Sequence, residues 1–454
     1  MNRADPRTAS SIPPFPTFVL LTVLVTCFAV PSVRGSALDL EVRPGNRTVL
    51  IPGPGTGDLQ IRIIAPDGEP VNDRPPLNLS LVIDKSGSMA DEGKIDHVRM
   101  AAHRLVERMG GDDYLSLVTY DNDVRVLTRP RPVADRHYFH HLIDGIHPGG
   151  RTYLSGGLEE GYRQAKKARR RGYINRVLLL SDGLANVGVT DRRQLTRRAG
   201  GMYEDGISIS TFGVGYQFDE DLMTRVARGG GGSYYYISDP GDILAALNRE
   251  FTLAARTVAT EVEIVIRLLG GCRFDSVIGH SFDREGDSVI IRLGDLSAGE
   301  RRTLMAKLRV SAEQTGEIPV ADVSLRYRDP ASGGIRSNRT TPVLLEVVRD
   351  ADEYSRGFDR DVVETRTVME SSVRAEEAAE KVDSGDREGA LGILRKVADT
   401  LRKAAPSSPA ARQELERNEA YQDQIMGMDG MDDRRINEVQ KGVKYRSYQE
   451  LHQK

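Results

Sequence analysis

The stretch LSLVIDKSGSM, residues 79–89, is an apolar run that ends in an aspartate followed by two spaced serines. A continuous apolar run of this kind is typical of a strand buried on both faces of a parallel sheet. A second run, VLLL at residues 177–180, leads directly into SDG at 181–183. Because ligands bind beyond the carboxyl ends of parallel strands, we expect the polar residues after both runs to lie at one edge of one sheet.

Oxygen donors dominate this edge, and the GGRT loop at residues 149–152 adds one more. The candidate ligands are Asp84, Ser86, Ser88, Thr152 and Asp182. No histidine or cysteine is among them, and oxygen donors are the ligands that hard cations such as Mg²⁺ prefer. Two carboxylates do not over-neutralise a dication, and hydroxyls add no charge. The sequence therefore predicts a metal site that keeps one position for an acidic group from outside.

The region around these motifs, residues 78–252, alternates apolar runs with amphipathic segments. One such segment places Ile95, Val98, Ala102, Leu105 and Met109 at helical spacing. Strands that alternate with helices predict an α/β domain with a mostly parallel sheet covered by helices on both faces.

The flanking regions have a different pattern. Residues 38–77 and 257–349 show apolar residues at every second position, which predicts half-buried strands. The first group is too short to bury a face alone, so we expect it to join the second in one β-sandwich with the α/β domain inserted. Residues 360–424 are predicted to be helical, and residues 425–454 to form a weakly ordered, flexible tail.

The DxSxS run at Asp84, the separate Thr152 and the Asp182 of SDG resemble the metal-ion-dependent adhesion site of von Willebrand factor A (VWA) domains. The resemblance covers about 78–252, and all five positions match. It implies a Rossmann-like fold that binds Mg²⁺, or sometimes Mn²⁺ or Ca²⁺. It also implies that the three hydroxyls coordinate the metal directly, that the two aspartates act partly through water, and that a Glu or Asp of a partner protein completes the shell.

A looser resemblance extends over about 38–350. The strands before and after the α/β domain, with GDLSAGE at residues 294–300, are similar to exported bacterial VWA proteins related to inter-alpha-trypsin inhibitor heavy chains. What the resemblance implies overall is a protein-binding or adhesion module.

Residues 1–37 have the order of a signal peptide: Arg3 and Arg7, a short apolar run at 18–30, and small residues at 35–37. Thirteen residues are short of the roughly 20 that a spanning helix needs. We therefore expect an exported protein that acts in the periplasm, at the cell surface or in the medium, with an uncleaved anchor helix as the alternative.

Composition excludes several classes of function. The chain of 454 residues has 63 Lys+Arg against 66 Asp+Glu, so no basic excess points to nucleic acid. Its two cysteines, Cys27 and Cys272, cannot make a disulfide framework or a thiolate metal centre. The common nucleophile and metalloprotease motifs are absent from the sequence, which favours a protein without enzymatic activity.

Weaker signals leave alternatives open. His137, His140 and His141, with Asp144, have the spacing of a helical Zn²⁺ site, but a solvated helix with polar residues is the favoured interpretation because no further ligand is identifiable. The glycines at 229–232 are expected to form a flexible turn before an edge strand. For the whole protein, the rival functions are a structural envelope component whose metal only stabilises the loops and, more distantly, a metal hydrolase.

Overall fold

The computed structural model describes residues 38–53, 55–67, 74–339 and 342–453. The signal segment expected at 1–37, with Cys27, lies outside the described residues. The strands are β1 (Asp39–Pro44), β2 (Thr48–Leu50), β3 (Thr56–Ile64), β4 (Leu77–Asp84), β5 (Tyr114–Tyr120), β6 (Val124–Pro132), β7 (Ile174–Ser181), β8 (Ser208–Val214), β9 (Gly231–Ile237), β10 (Thr257–Leu268), β11 (Arg273–Val277), β12 (Asp283–Glu285), β13 (Ser288–Ser297), β14 (Arg301–Arg309), β15 (Gly316–Arg328), β16 (Ile335–Arg339) and β17 (Val343–Val348).

The helices are α1 (Lys94–Arg108), α2 (Arg136–Asp144), α3 (Leu154–Lys167), α4 (Arg192–Glu204), α5 (Glu220–Gly229), α6 (Ile243–Ala255), α7 (Ala351–Arg356), α8 (Arg360–Asp383), α9 (Arg387–Ala404), α10 (Pro409–Met426) and α11 (Asp433–His452). Short 3₁₀ turns occupy Gly87–Gly93, Pro240–Asp242 and Gly427–Gly430.

The α/β domain is built on a six-stranded sheet in the order β6-β5-β4-β7-β8-β9. All neighbouring strands are parallel except β6, which pairs antiparallel with β5 at one edge. Strands β4 and β7 are adjacent, with Ile83 beside Leu180, so their carboxyl ends meet as expected. This mostly parallel sheet confirms the predicted fold class.

Two hydrophobic cores fill the space between the sheet and its helices. On one face, Leu79, Leu81 and Ile83 pack with residues of α1, α2 and α6. On the other face, Val82 and residues of β5 and β7 pack with α3, α4 and α5. Every residue of β4 is buried, which explains its continuous apolar pattern.

The flanking strands form two further sheets that pack on a common core. One sheet has the order β1-β3-β14-β11, and the other has the order β12-β13-β10-β15-β17-β2, with β16 beside β15. The pairing of β3 with β14 and of β2 with β17 joins the segment before the α/β domain to the segment after it. The α/β domain is therefore inserted in the β-sandwich.

The prediction of a flexible tail at residues 425–454 is wrong. Helix α11 covers most of residues 425–454, and its Val443, Tyr448 and Leu451 are buried. Apolar residues of α11 recur among many charged ones, so the composition suggested solvent exposure, but the apolar positions share one face that packs on the rest of the protein. Val443 joins the core of α8, α9 and α10, whereas Tyr448 joins the core of the α/β domain.

The glycine run at 229–232 is also different from the expected flexible turn. Gly231 and Gly232 are buried residues of strand β9. A Cβ on Gly232 would lie 2.2 Å from the carbonyl oxygen of Ile209, and one on Gly231 would lie 2.3 Å from the Tyr203 ring. These glycines permit close approach of the neighbouring strand and helix.

Candidate metal centre

The five predicted residues come from three loops at the carboxyl edge of the sheet. Asp84 is the last residue of β4, and Asp182 directly follows β7. Ser86 precedes the 3₁₀ turn Gly87–Gly93, and Ser88 lies within it. Thr152 lies in the loop that leads into α3. Because β4 and β7 are neighbours, the two aspartates are brought to one place by the sheet itself.

Hydrogen bonds connect four of the five residues, three of them through their side chains. The Ser88 hydroxyl donates to Oδ1 of Asp182 over 2.8 Å, and Ser86 Oγ lies 3.2 Å from Ser88 Oγ. One oxygen of Asp84 accepts the Ser86 backbone N–H at 2.8 Å. Its other oxygen accepts the Ser181 hydroxyl at 2.7 Å. The sequence reasoning missed Ser181, which anchors Asp84 rather than facing a ligand.

Thr152 approaches this cluster from the third loop. Its backbone N–H donates to Oδ1 of Asn186 over 3.0 Å, which fixes the loop beside the residues that follow β7. A Cβ built on Gly183 would lie 2.9 Å from Thr152 Oγ1 and 3.8 Å from Ser88 Oγ. Gly183 thus leaves a small space beside both hydroxyls that any larger residue would fill. The structure brings all five predicted residues into one neighbourhood.

Burial controls the charge of Asp84. The carboxyl group is fully buried, and this desolvation raises its pKa from 3.8 to about 6, with the nearby Asp182 charge adding to the rise. Hydrogen bonds from the Ser86 backbone and the Ser181 hydroxyl lower the pKa but do not cancel the effect of burial. A bound cation would favour the ionised form that coordination needs.

Lys94 is a charged neighbour of the site that the sequence reasoning did not single out. It is the first residue of α1, and its Nζ lies 2.8 Å from Oδ2 of Asp182. The same ammonium is 3.5 Å from the carbonyl oxygen of Ser88. Its position ten residues after Asp84 gave no signal, since a lysine at the start of a helix usually faces water.

The candidate ligands Ser88 and Thr152 open into a cleft of about 630 Å³. One wall is formed by the loop after β7, where the Leu184 side chain is 58% exposed, and by Tyr216. The opposite wall comes from the first turns of α11 and includes Arg434, Asn437 and Lys441. A group that reaches the cluster through this cleft passes beside the C-terminal helix.

The histidine cluster on α2 has another arrangement. His140 Nδ1 lies 2.6 Å from Nδ1 of His103 on α1, while His103 Nε2 contacts Asp144 and His140 Nε2 contacts Glu107. The outer nitrogens are thus engaged by carboxylates on opposite sides. Among the described residues, no group of three or more His, Cys, Asp or Glu is placed to hold a metal ion, so the zinc alternative has no support. The site of Asp84 and Asp182 is of a different kind, because three of its five candidate ligands are hydroxyls.

Comparison with known proteins identifies the α/β unit. The family model of the von Willebrand factor type A domain matches residues 78–249. Residues 78–249 are a VWA domain. VWA domains generally act as protein-interaction or adhesion modules.

Relatives of this chain extend the similarity beyond the VWA domain. The uncharacterized protein sll0103 of Synechocystis is 26% identical over 359 residues, which are 77% of this chain and 84% of that protein. The uncharacterized protein YfbK of Escherichia coli is 30% identical over 67% of this chain and 53% of its own length. Human inter-alpha-trypsin inhibitor heavy chain H3 is 26% identical over 45% of this chain and 23% of its own length. The chain thus spans about half of YfbK and about a quarter of heavy chain H3.

Two solved structures share a similar fold over most of this chain. A von Willebrand factor type A protein from Catenulispora acidiphila superimposes with a TM-score of 0.72 and 14% identity, covering 91% of this chain and 97% of that one. The ArnB paralog VWA2 of Sulfolobus acidocaldarius gives a TM-score of 0.59 at 16% identity, covering 92% and 99%. At these identities the likeness concerns the fold alone.

Proposed function

We propose that this VWA protein binds partner proteins through a divalent cation, Mg²⁺ or in its place Mn²⁺ or Ca²⁺. Asp84, Ser86, Ser88, Thr152 and Asp182 would hold the cation, which supplies an electrophilic centre for a carboxylate from the partner. The observation that carries the proposal is the convergence of these five oxygen donors at the carboxyl edge of β4 and β7.

The donor set fits a hard cation. Hydroxyl and carboxylate oxygens match the preference of Mg²⁺, and two carboxylates balance the charge of a dication without exceeding it. The space beside Gly183 borders both the Thr152 and the Ser88 hydroxyl. The exposed Leu184 at the rim adds apolar surface, so the preferred partner segment would carry an Asp or Glu beside an apolar residue.

We further propose that the protein works without enzymatic turnover and outside the cytoplasm. The proposal of no enzymatic turnover rests on the sequence, which lacks the common nucleophile and metalloprotease motifs. The export proposal depends on the pattern of residues 1–37. In the described part of the chain, every helix is too short or too polar to cross a membrane.

The test is a pull-down from the envelope fraction of the source organism, with Mg²⁺ and with EDTA, on three variants. Asp84→Ala removes a proposed ligand, and Gly183→Ala places a methyl group 2.9 Å from Thr152 Oγ1. Both should abolish Mg²⁺-dependent capture of partners. Gly149→Ala is the matched control, because a Cβ there meets nothing within 4 Å.

A structural role for the metal gives another outcome. In that case EDTA lowers the melting temperature of the wild type, but the same partners are captured with and without Mg²⁺. Unchanged capture by Asp84→Ala, with its sensitivity to EDTA also unchanged, would refute the proposed mechanism. A hydrolase would instead show metal-dependent turnover of an activated ester or phosphate.

A further inference from the structure

Lys94 is buried against the proposed metal site rather than extended into water. Its side chain is only 5% exposed, and the Asp182 side chain that it contacts is fully buried. The Asp182 carboxylate divides its two oxygens, since Oδ1 accepts the Ser88 hydroxyl and Oδ2 accepts the Lys94 ammonium. The lysine is therefore part of the electrostatic environment of the ligand set.

Helix formation does not explain this lysine. A positive charge at the first position of a helix is unfavourable because the helix amino terminus already carries partial positive charge. Burial of an ammonium adds a desolvation penalty that only close pairing offsets. Lys94 nevertheless enters the protein beside Gly215, where an added Cβ would lie 3.6 Å from Nζ. The buried position of Lys94 brings its ammonium group into contact with Asp182 and with the Ser88 carbonyl oxygen.

Charge counting shows the consequence. Asp84 and Asp182 together would present two negative charges, which a dication would neutralise completely. With Lys94 included, the set presents one net negative charge, and the cation-filled site keeps one positive charge. A carboxylate from a partner would bring the total to zero. Without Lys94, the same carboxylate would leave the site with a net negative charge.

Two other cationic side chains near the site are paired with carboxylates outside the ligand set. Lys85 is hydrogen-bonded to Asp121, and Arg434 contacts Glu92 at 2.7 Å. These pairs contribute little net charge to the cluster. Lys94 differs from them because its partner is one of the proposed ligands.

We propose that Lys94 is a specificity-determining residue that weakens cation binding by the empty site and makes the cation-filled site favour an anionic partner. This inference rests on the proposed function, since it concerns the same cation. It predicts that removal of the lysine charge strengthens cation binding by the empty site and weakens the binding of a carboxylate to the cation-filled site.

The experiment measures by calorimetry the affinity for Mg²⁺ and then the affinity for acetate as a minimal carboxylate. Lys94→Met should bind Mg²⁺ roughly tenfold more tightly or better, because a like charge close to the cation is removed. Acetate, titrated into protein saturated with Mg²⁺, should bind the wild type more tightly than Lys94→Met. Lys85→Met removes the same charge from a lysine that pairs with Asp121, and it should change Mg²⁺ affinity much less.

Lys94→Gln is the second neutral variant and protects the test against misfolding, because its amide can still donate to Asp182. It should also bind Mg²⁺ more tightly than the wild type. Equal or weaker Mg²⁺ binding by both neutral variants, in folded protein, would overturn the inference while leaving the proposed function intact. Failure of the wild type to bind Mg²⁺ at all would instead refute the proposed function.

Discussion

At the scale of single residues, Asp84 is the group whose chemistry depends most on its surroundings. It ends the central strand β4, is fully buried, and receives one hydrogen bond on each carboxylate oxygen. Burial raises its pKa to about 6, so protons compete with any cation for this carboxylate in mildly acidic solution. The site is therefore sensitive to pH through a residue that contacts no solvent.

We expect the stabilisation by Mg²⁺ to increase with pH. Folding raises the pKa of Asp84 from 3.8 to about 6, so protonation of Asp84 stabilises the cation-free folded state relative to the unfolded state at low pH. This stabilisation is lost as the pH rises through about 6. Mg²⁺ binding requires the ionised form, so its contribution grows over the same window. The measurement is the difference in melting temperature between Mg²⁺ and EDTA at about pH 5 and about pH 7.5.

The difference between the two conditions is the useful quantity, because other buried groups also titrate. Glu220, for example, has its pKa raised to about 8 by burial, which changes the melting temperature itself. That effect is common to both solutions and cancels in the difference. Asp84→Asn should show little Mg²⁺ response at either pH, and an equal response of the wild type at both pH values would contradict the expectation.

The residues of the site differ in how far sequence could reveal them. Asp84, Ser86 and Ser88 follow one apolar run, and Asp182 follows another, so strand pattern and residue type were sufficient to place them together. The role of Lys94 could not be predicted, because it depends on how the 3₁₀ turn directs the start of α1 back over Asp182. That path is set by tertiary packing.

At the scale of elements, a buried arginine joins the VWA domain to the sandwich. Arg176 on β7 donates to Glu250 of α6 at 2.6 Å and to Asp295 of β13 at 2.7 Å. Its Nε also donates to Ser208 of β8. Both carboxylates are buried together with Arg176. The charge of the Arg176 guanidinium therefore partly offsets the two negative charges at the contact between the VWA domain and the sandwich.

Arg176→Met should destabilise the protein by about 3–5 kcal/mol, because it leaves Glu250 and Asp295 buried without their shared cation. Arg192→Met is the control, since Arg192 pairs with Asp219 and Asp221 but is about half exposed. We expect the control substitution to lower the free energy of unfolding by less than about 1 kcal/mol. Urea unfolding measures both values, and similar losses for the two variants would contradict the interpretation.

Elements whose own residues show a clear periodic pattern could be predicted from the sequence. Elements that depend on pairing or packing with distant segments could not. The alternating residues of β10, β14 and β15 indicated strands from local sequence alone. Strand β2 has three residues and exists because β17 offers it a parallel partner. The sequence predicts a turn at the glycines of β9, because their close approach to Ile209 depends on the adjacent strand β8 and leaves no signal in the local sequence.

At the scale of the whole molecule, helix α11 holds the C-terminal helices against the VWA domain. Lys441 Nζ donates to the Phe218 carbonyl over 2.9 Å, and the backbone N–H of Tyr234 donates to the Tyr448 hydroxyl over 3.0 Å. Arg434 completes the contact by lying 4.8 Å from the centre of the Tyr216 ring. Because these contacts border the candidate metal centre, α11 becomes one wall of the cleft.

Asn437→Trp should therefore reduce partner capture without changing Mg²⁺ affinity. Asn437 is exposed and lines the cleft, so a larger side chain narrows the access route but touches none of the proposed ligands. Arg435→Trp adds the same bulk at an exposed position of α11 outside the cleft lining, and it should retain capture. Full capture by Asn437→Trp would show that partners reach the site from another direction.

The insertion of the VWA domain also dictates an order of events during synthesis. Strand β3 leaves the ribosome early, but its partner β14 follows only after the entire inserted domain. The sheet of the inserted domain needs no later segment, and most residues of its two cores belong to that domain. Once it has folded, it shortens the effective loop that must close for β3 to meet β14, which lowers the entropy loss. Folding of the inserted VWA domain thus brings the strands before it and the strands after it close enough to pair in the sandwich.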